Sequence, residues 1–224
     1  MNRSMKSHTG LVLVALILGC GTAQAGPDWI EDGDAGSSLG GAQDTTSVGQ
    51  LTSLVGSLGG ADQEDVYRLT VLGGDDFSMP VTFGLVEGAG FNPSLWLFDS
   101  EGFGVLANDD DPMTGGTGAR LLTPSTDGVT LLLPPGEYFL AITESGNVPL
   151  SFRSDGNGGG ALEEMFFFEN ALEVSGPDGI GADNPLADWS GGAGGAGTYG
   201  VVITPAPSSL ALIGLSGLLM RRKR

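Results

Sequence analysis

The sequence predicts an all-β body, an antiparallel sandwich or barrel, carried between two apolar ends. Three observations predict it. Short apolar or alternating runs recur along residues 26–204, with Gly, Pro, Asn and Asp turn signals about every ten residues. No 3.6-residue apolar period appears in that span, so nothing there reads as an amphipathic helix. Both ends break the pattern, with an apolar run beside basic residues and no acidic residue.

The body opens on residues 28–36, DWIEDGDAG. Glu31, Asp32 and Asp34 invite comparison with calcium loops, but the twelve-residue EF-hand spacing and its flanking helices are missing. A solvated turn and a set of ligands both remain open. Residues 48–58 alternate loosely and read as a strand, turned by Gly59-Gly60. Residues 65–72 form the clearest strand: Tyr67, Leu69 and Val71 share one face, Val66, Arg68 and Thr70 the other. After a Gly-Gly-Asp-Asp turn, residues 80–87 read as the next strand.

The stretch from Asn92 to Asp111 organises the rest. Residues 94–100 extend, Gly102 supplies the turn, 103–107 return, and Asn108-Asp109-Asp110-Asp111 forms an acidic loop closed by Pro112. Leu95 and Leu97 on one face, Trp96 and Phe98 on the other, make this a central strand covered on both sides. Residues 120–123, 128–133 and 137–144 follow as strands, the last two separated by a Pro-Pro-Gly turn. Residues 156–197 read as a glycine-rich insertion in which 165–168 and 172–174 are short strands. Residues 198–204 are the final strand.

The ends read as addresses. Arg3 and Lys6, the apolar run 11–18 and Ala23-Gln24-Ala25 have the layout of a secretory signal peptide cleaved between Ala25 and Gly26. The run is shorter than the ~20 residues that span a bilayer. Lipidation of Cys20 is the rival reading, but Leu18 is larger than the residue usual there. At the other end Pro205-Ala206-Pro207 leads into a small-residue apolar helix candidate, 208–220. Arg221-Arg222-Lys223-Arg224 then holds that end on the cytoplasmic side.

Charge and side-chain chemistry exclude much. The chain has 27 acidic and 9 basic residues, and between the ends only Arg68, Arg120 and Arg153 are basic. Such a body repels nucleic acid. The single His8 and Cys20 both fall before the cleavage site, and no lysine lies between Lys6 and Lys223. The mature body therefore lacks a Ser-His-Asp triad, a cysteine nucleophile, a Schiff-base lysine, a His/Cys zinc site and any disulfide. Carboxylates and hard cations are the chemistry that remains.

The tail from Pro205, with its Pro-x-Pro, apolar run and basic end, resembles the PEP-CTERM sorting signal, although Ala206 stands where that motif has Glu. The resemblance implies recognition by an exosortase-type membrane protease, transient membrane insertion through the tail helix, and removal of the tail near Pro205. A permanent C-terminal anchor is the alternative. In the body, residues 65–71 (DVYRLTV), 93–99 (PSLWLFD), 106–110 (LANDD) and 135–142 (PGEYFLAI) occur in an order that resembles the bacterial pre-peptidase C-terminal domain. The resemblance spans about 28–204, with 156–197 as its unmatched insertion. It implies a non-catalytic, jelly-roll-like β-sandwich. It also implies, for some members, calcium held between the N-terminal acidic segment and the acidic loop, here Glu31, Asp32 and Asp34 with Asn108, Asp109, Asp110 and Asp111.

Three functions stand in order. An exported structural protein of the cell surface or extracellular matrix, processed by signal peptidase and an exosortase-type protease, comes first. A module that binds extracellular polysaccharide or protein comes second, with Trp189 in its glycine-rich setting as the stacking residue. A carboxylate glycosidase comes last, since it needs two carboxyls ~5–9 Å apart in a cleft and no pair is singled out.

Overall fold

The computed structural model describes residues 28–60, 62–71, 76–78 and 91–204, and thirteen strands carry their architecture. They are β1 (Asp28–Ile30), β2 (Gln43–Asp44), β3 (Ser53–Leu58), β4 (Glu64–Val71), β5 (Asp76–Ser78), β6 (Pro93–Asp99), β7 (Gly104–Asn108), β8 (Arg120–Leu121), β9 (Gly136–Glu144), β10 (Pro149–Ser154), β11 (Gly160–Glu164), β12 (Leu186–Trp189) and β13 (Gly197–Thr204). Two single-turn 3-10 segments are the only helical structure among these residues, so the fold is all-β as expected. No helix among them is long and apolar enough to cross a membrane; the signal-peptide and tail readings and the strand expected at 80–87 lie outside the described residues.

Two five-stranded sheets face each other, β1-β3-β13-β5-β8 and β2-β4-β9-β6-β7. Alternation decides what lies between them. Tyr67, Leu69 and Val71 of β4, Leu140 and Ile142 of β9, and Leu95 and Leu97 of β6 meet Leu54 and Leu58 of β3 and Tyr199, Val201 and Ile203 of β13 in one buried cluster. The pairings are antiparallel except at two edges, where β1 runs parallel to β3 and β2 parallel to β4. The N-terminal segment adds β1 to one sheet and then crosses the open edge of the sandwich to add β2 to the other.

The hairpin expected from Asn92 onward is β6–β7, and β6 is interior, between β9 and β7. Gly102 sits at φ +91, and Asp99 closes the turn by accepting from the Glu101 and Phe103 amides. Trp96 is buried, its Nε1 donating to Thr143 Oγ1 at 2.8 Å.

Three expectations need correction. Residues 128–133 are not a strand. Asp127 folds the chain into a turn by accepting from the Val129 amide, Thr130 Oγ1 donates to Val105 O, and Pro134-Pro135 offers no amide to a neighbour. Residues 165–168 and 172–174 are not strands either. The strands of this region are β10, β11 and β12, which form a third sheet, ordered β11-β10-β12. The chain between β9 and β13 is a cover. Met165, Phe166, Phe168, Leu186 and Trp189 close over Val66, Trp96, Phe98, Phe139 and Ala141 on the outer face of the second sheet. That cover is why both faces of β6 are buried.

Candidate metal centre

Two chain crossings meet at one edge of the sandwich. The first is the β1–β2 connection; the second is the β3–β4 turn, which carries the chain from the first sheet to the second. Each brings carboxylates. One oxygen each from Glu31, Asp34 and Asp65 lie within 4.8 Å of one another, and Asp62 is near enough to feel the charges of Asp34 and Glu31.

Local structure explains why these side chains converge. Glu31 is held by two backbone amides, Ala35 at 3.1 Å to Oε1 and Ser57 at 2.8 Å to Oε2, which tie its turn to β3. Gln43 of β2 receives the Trp29 indole N–H at 2.6 Å and the Asp32 amide at 3.1 Å, and donates to Asp32 O at 3.0 Å. That clip shapes the crossing. Gly33 and Gly36 take φ of +82 and +69, and a side chain at Gly36 would strike Gly41 O. Asp34 accepts from the Gly36 amide at 3.1 Å. The Asp32 carboxylate is exposed and stands outside the oxygen cluster.

Asp65 is the informative group. It shares the inward face of β4 with Tyr67, and it is fully buried. Its Oδ2 accepts from Tyr199 Oη at 2.5 Å, and Tyr199 Oη lies 2.6 Å from Tyr67 Oη. Its Oδ1 is buried without a hydrogen-bond partner. Burial pushes the Asp65 carboxyl up to about 8, despite the Tyr199 hydrogen bond, with the charges of Glu31, Asp62 and Asp34 adding to the rise. Burial first, then Asp34, Glu31 and Glu64, raise Asp62 to about 6. Burial also holds both tyrosines protonated, well above the ordinary phenol range.

Such a cluster suits a hard cation. Calcium binds six to eight oxygens at about 2.3–2.6 Å, so no two of its ligand atoms stand more than ~5 Å apart. The 4.8 Å limit on the Glu31, Asp34 and Asp65 oxygens meets that condition. Calcium accepts flexible all-oxygen coordination where magnesium demands near-ideal octahedral geometry, and the described residues hold neither imidazole nor thiol for zinc.

The acidic loop lies elsewhere in the fold. Strand register places Asp65 opposite Ile142, Ile142 opposite Leu95 and Leu95 opposite Asn108. Three strand spacings, about 14 Å, separate the loop from the N-terminal cluster. Buried Asn108 donates to Glu173 O at 2.8 Å and accepts from the Arg120 amide at 2.7 Å. Asp109 accepts from Ser94 Oγ and Ser145 Oγ, and Asp110 from Asn92 Nδ2. Asp111 pairs with Arg120 at 3.1 Å and accepts from the Met113 amide and Thr114 Oγ1; these hydrogen bonds and the Arg120 charge outweigh its partial burial and hold its carboxyl low. The loop is strapped to residues 170–176, where Asp110 N donates to Ala171 O. Thus the structure gathers Glu31 and Asp34 with Asp62 and Asp65, and sets Asn108, Asp109, Asp110 and Asp111 apart.

The sequence patterns single out neither Asp62 nor Asp65 as part of this acidic cluster. A signal existed for Asp65, which has the same parity as Tyr67, Leu69 and Val71; a carboxylate on a strand's inward face needs a compensating partner. Trp189 borders a cleft of about 360 Å³ with Ser37, Leu39 and Asp188. Its indole N–H donates to Ser37 O at 2.7 Å, and its ring meets Trp96 and Phe98 edge-on at 6.5 and 6.2 Å. Ala25, Gly26, Pro205, Ala206, Pro207, Arg221 and Arg222 lie outside the described residues.

No family model and no curated protein matches the chain. Among solved structures, it is similar to the pre-peptidase C-terminal domain of collagenase from Bacillus anthracis, at 15% identity and a TM-score of 0.35. The match covers 72% of this chain and 93% of that one.

Proposed function

We propose that this chain is an exported, non-catalytic β-sandwich protein of the cell surface or extracellular matrix, of the jelly-roll-like pre-peptidase C-terminal type, and that a calcium ion locks its open edge. The observation that carries the calcium reading is the Asp65 carboxylate, buried with one oxygen unpartnered beside Glu31 and Asp34. A bound cation would supply the positive charge that this cluster lacks. The residues do the rest. Glu31 links the N-terminal turn to β3, Asp34 comes from the first crossing, and Asp62 and Asp65 come from the second. Tyr199 orients Asp65 from β13. A shared ion would therefore tie both sheets to the N-terminal segment.

Export rests on the sequence of residues 1–25 and processing on that of 205–224, with signal peptidase and an exosortase-type protease as partners. The non-catalytic reading rests on a body without His, Cys or Lys. Polysaccharide binding at Trp189 has less support, because its N–H is engaged and its ring is packed.

Calorimetric titration of the chelator-treated protein with calcium tests the site. One ion should bind with release of protons from Asp62 and Asp65. Absence of binding heat, with a melting midpoint indifferent to chelator, would refute it. Mass spectrometry of the exported protein tests both ends. Retention of residues 208–224 would sink the sorting-tail reading.

A further inference from the structure

The outer cover presents a surface that the calcium reading does not use. Phe167 is 58% exposed, and it and Asp178 stand in the walls of two clefts of about 650 and 370 Å³. Asp127, Glu169 and Glu173 line the first, and Glu163 and Glu164 the second. Apolar side chains flank the acids: Leu172 and Val129 in the first cleft, Leu162 and Ile180 in the second, with Ile180 63% exposed.

The exposure of Phe167 is built in. Its amide donates to Asp178 Oδ1 at 2.9 Å, and its carbonyl accepts from Ser175 Oγ at 3.0 Å. The following turn is packed against β11: side chains at Gly179 and Gly181 would strike Glu164 O and Glu163 O, while those glycines' amides donate to Met165 O and Glu164 O. A large exposed aromatic on a hydrogen-bonded backbone, between grooves, is the form that interface anchors take.

Charge decides what fits. Neither cleft is lined by a basic side chain. The body around them carries three arginines against 27 acids, so it repels anionic polymers and a second copy of itself. A small polyamine would satisfy the carboxylates but leave Phe167, Leu162 and Ile180 in water. We propose that the Phe167 surface docks a basic amphipathic stretch of a partner polypeptide. Its apolar side chains cover Phe167, Leu162 and Ile180, and its Lys and Arg side chains enter the two acidic clefts.

Fluorescence anisotropy of a labelled alternating Lys-Leu nonapeptide, titrated with the full chain in calcium at physiological salt, tests this. The peptide should bind at least about tenfold tighter than penta-lysine, which carries the same side-chain charge. Phe167→Ala should remove that advantage. Ile180→Ser, at another exposed residue lining the second cleft, should weaken binding independently, so the proposal stays testable if one variant folds poorly. Glu164→Gln with Glu169→Gln should flatten the salt dependence. Equal binding of penta-lysine or spermine would make the contact non-specific attraction to an acidic protein and overturn the proposal. Unchanged affinity in both apolar variants would overturn it too.

Discussion

Replacing Asp65 by Asn should stabilise the metal-free fold and remove most of its response to calcium. In the metal-free fold, burial and three neighbouring carboxylates hold the Asp65 carboxyl at about 8 against an ordinary 3.8. At about 1.4 kcal/mol per tenfold, its ionisation at pH 9 costs on the order of 5 kcal/mol more in the fold than in the unfolded chain. Asn removes that charge and retains an acceptor for Tyr199 Oη, but its amide must find partners among Glu31 and Asp34, or cost about 1–3 kcal/mol. The net expectation is a gain of about 2–4 kcal/mol in chelator at pH 9. At about 3 °C per kcal/mol for a body of this size, the midpoint should rise by roughly 6–12 °C. Calcium at a hundredfold excess over Kd should stabilise the wild type by about 2.7 kcal/mol. The variant should lose most of that response. Differential scanning calorimetry in chelator and in calcium reads both arms. A variant that melts lower than wild type in chelator would refute the electrostatic reasoning, and an undiminished calcium response would refute the site.

Stability in chelator should fall as pH rises from about 4 to about 8. Asp62 and Asp65 have folded values raised above 3.8, so the native state binds more protons than the unfolded chain across that window. Urea midpoints at pH 5 and pH 8.5 read the slope, and saturating calcium should flatten it. Asp109→Asn should lose part of its hydrogen bonding to Ser94 and Ser145, costing about 1 kcal/mol in urea unfolding, and leave the calcium-induced shift intact. Gly56→Ala should destabilise by about 2–3 kcal/mol in the same assay, because its new methyl would lie 2.2 Å from Tyr199 Oη and 2.7 Å from Tyr67 Oη, both buried. Trp189→Ala should cost about 3 kcal/mol, since it removes the ring that closes over Trp96 and Phe98.

The parts legible in the sequence were those governed by local period. Residues 65–72, 94–100, 137–144 and 198–204 fall on β4, β6, β9 and β13, where alternation and aromatic content leave little choice. Residues 128–133 look equally strand-like, yet Leu131 and Leu132 stand exposed because side-chain hydrogen bonds from Asp127 and Thr130 set the backbone first. The third sheet was hidden for the opposite reason. β11 reads GALEE, with too little apolar patterning to announce a strand, and its pairing with β10 supplies the structure. Ligand geometry was hardest to read. Four consecutive polar residues at Asn108 to Asp111 form a conspicuous sequence cluster, but their hydrogen bonds are spent on neighbouring loops. The spatial cluster joins residues some thirty positions apart, and only strand register brings them together.

That separation bears on what each acidic feature accomplishes. In the Asn108–Asp111 loop every polar side chain has a hydrogen-bond or ion-pair partner within the fold. At the β1–β2 and β3–β4 crossings the carboxylates have no cationic side chain among the described residues to answer them, and Asp65 Oδ1 has no hydrogen-bond partner there. A fold that buries an uncompensated carboxylate at the edge joining its two sheets must keep a proton there or take a cation. Two crossings that converge on one ion would make the alignment of both sheets depend on it, whereas crossings that share only protons would loosen as the pH rises. Under the proposed export into a calcium-containing medium, the first arrangement would make full stability conditional on having left the cell.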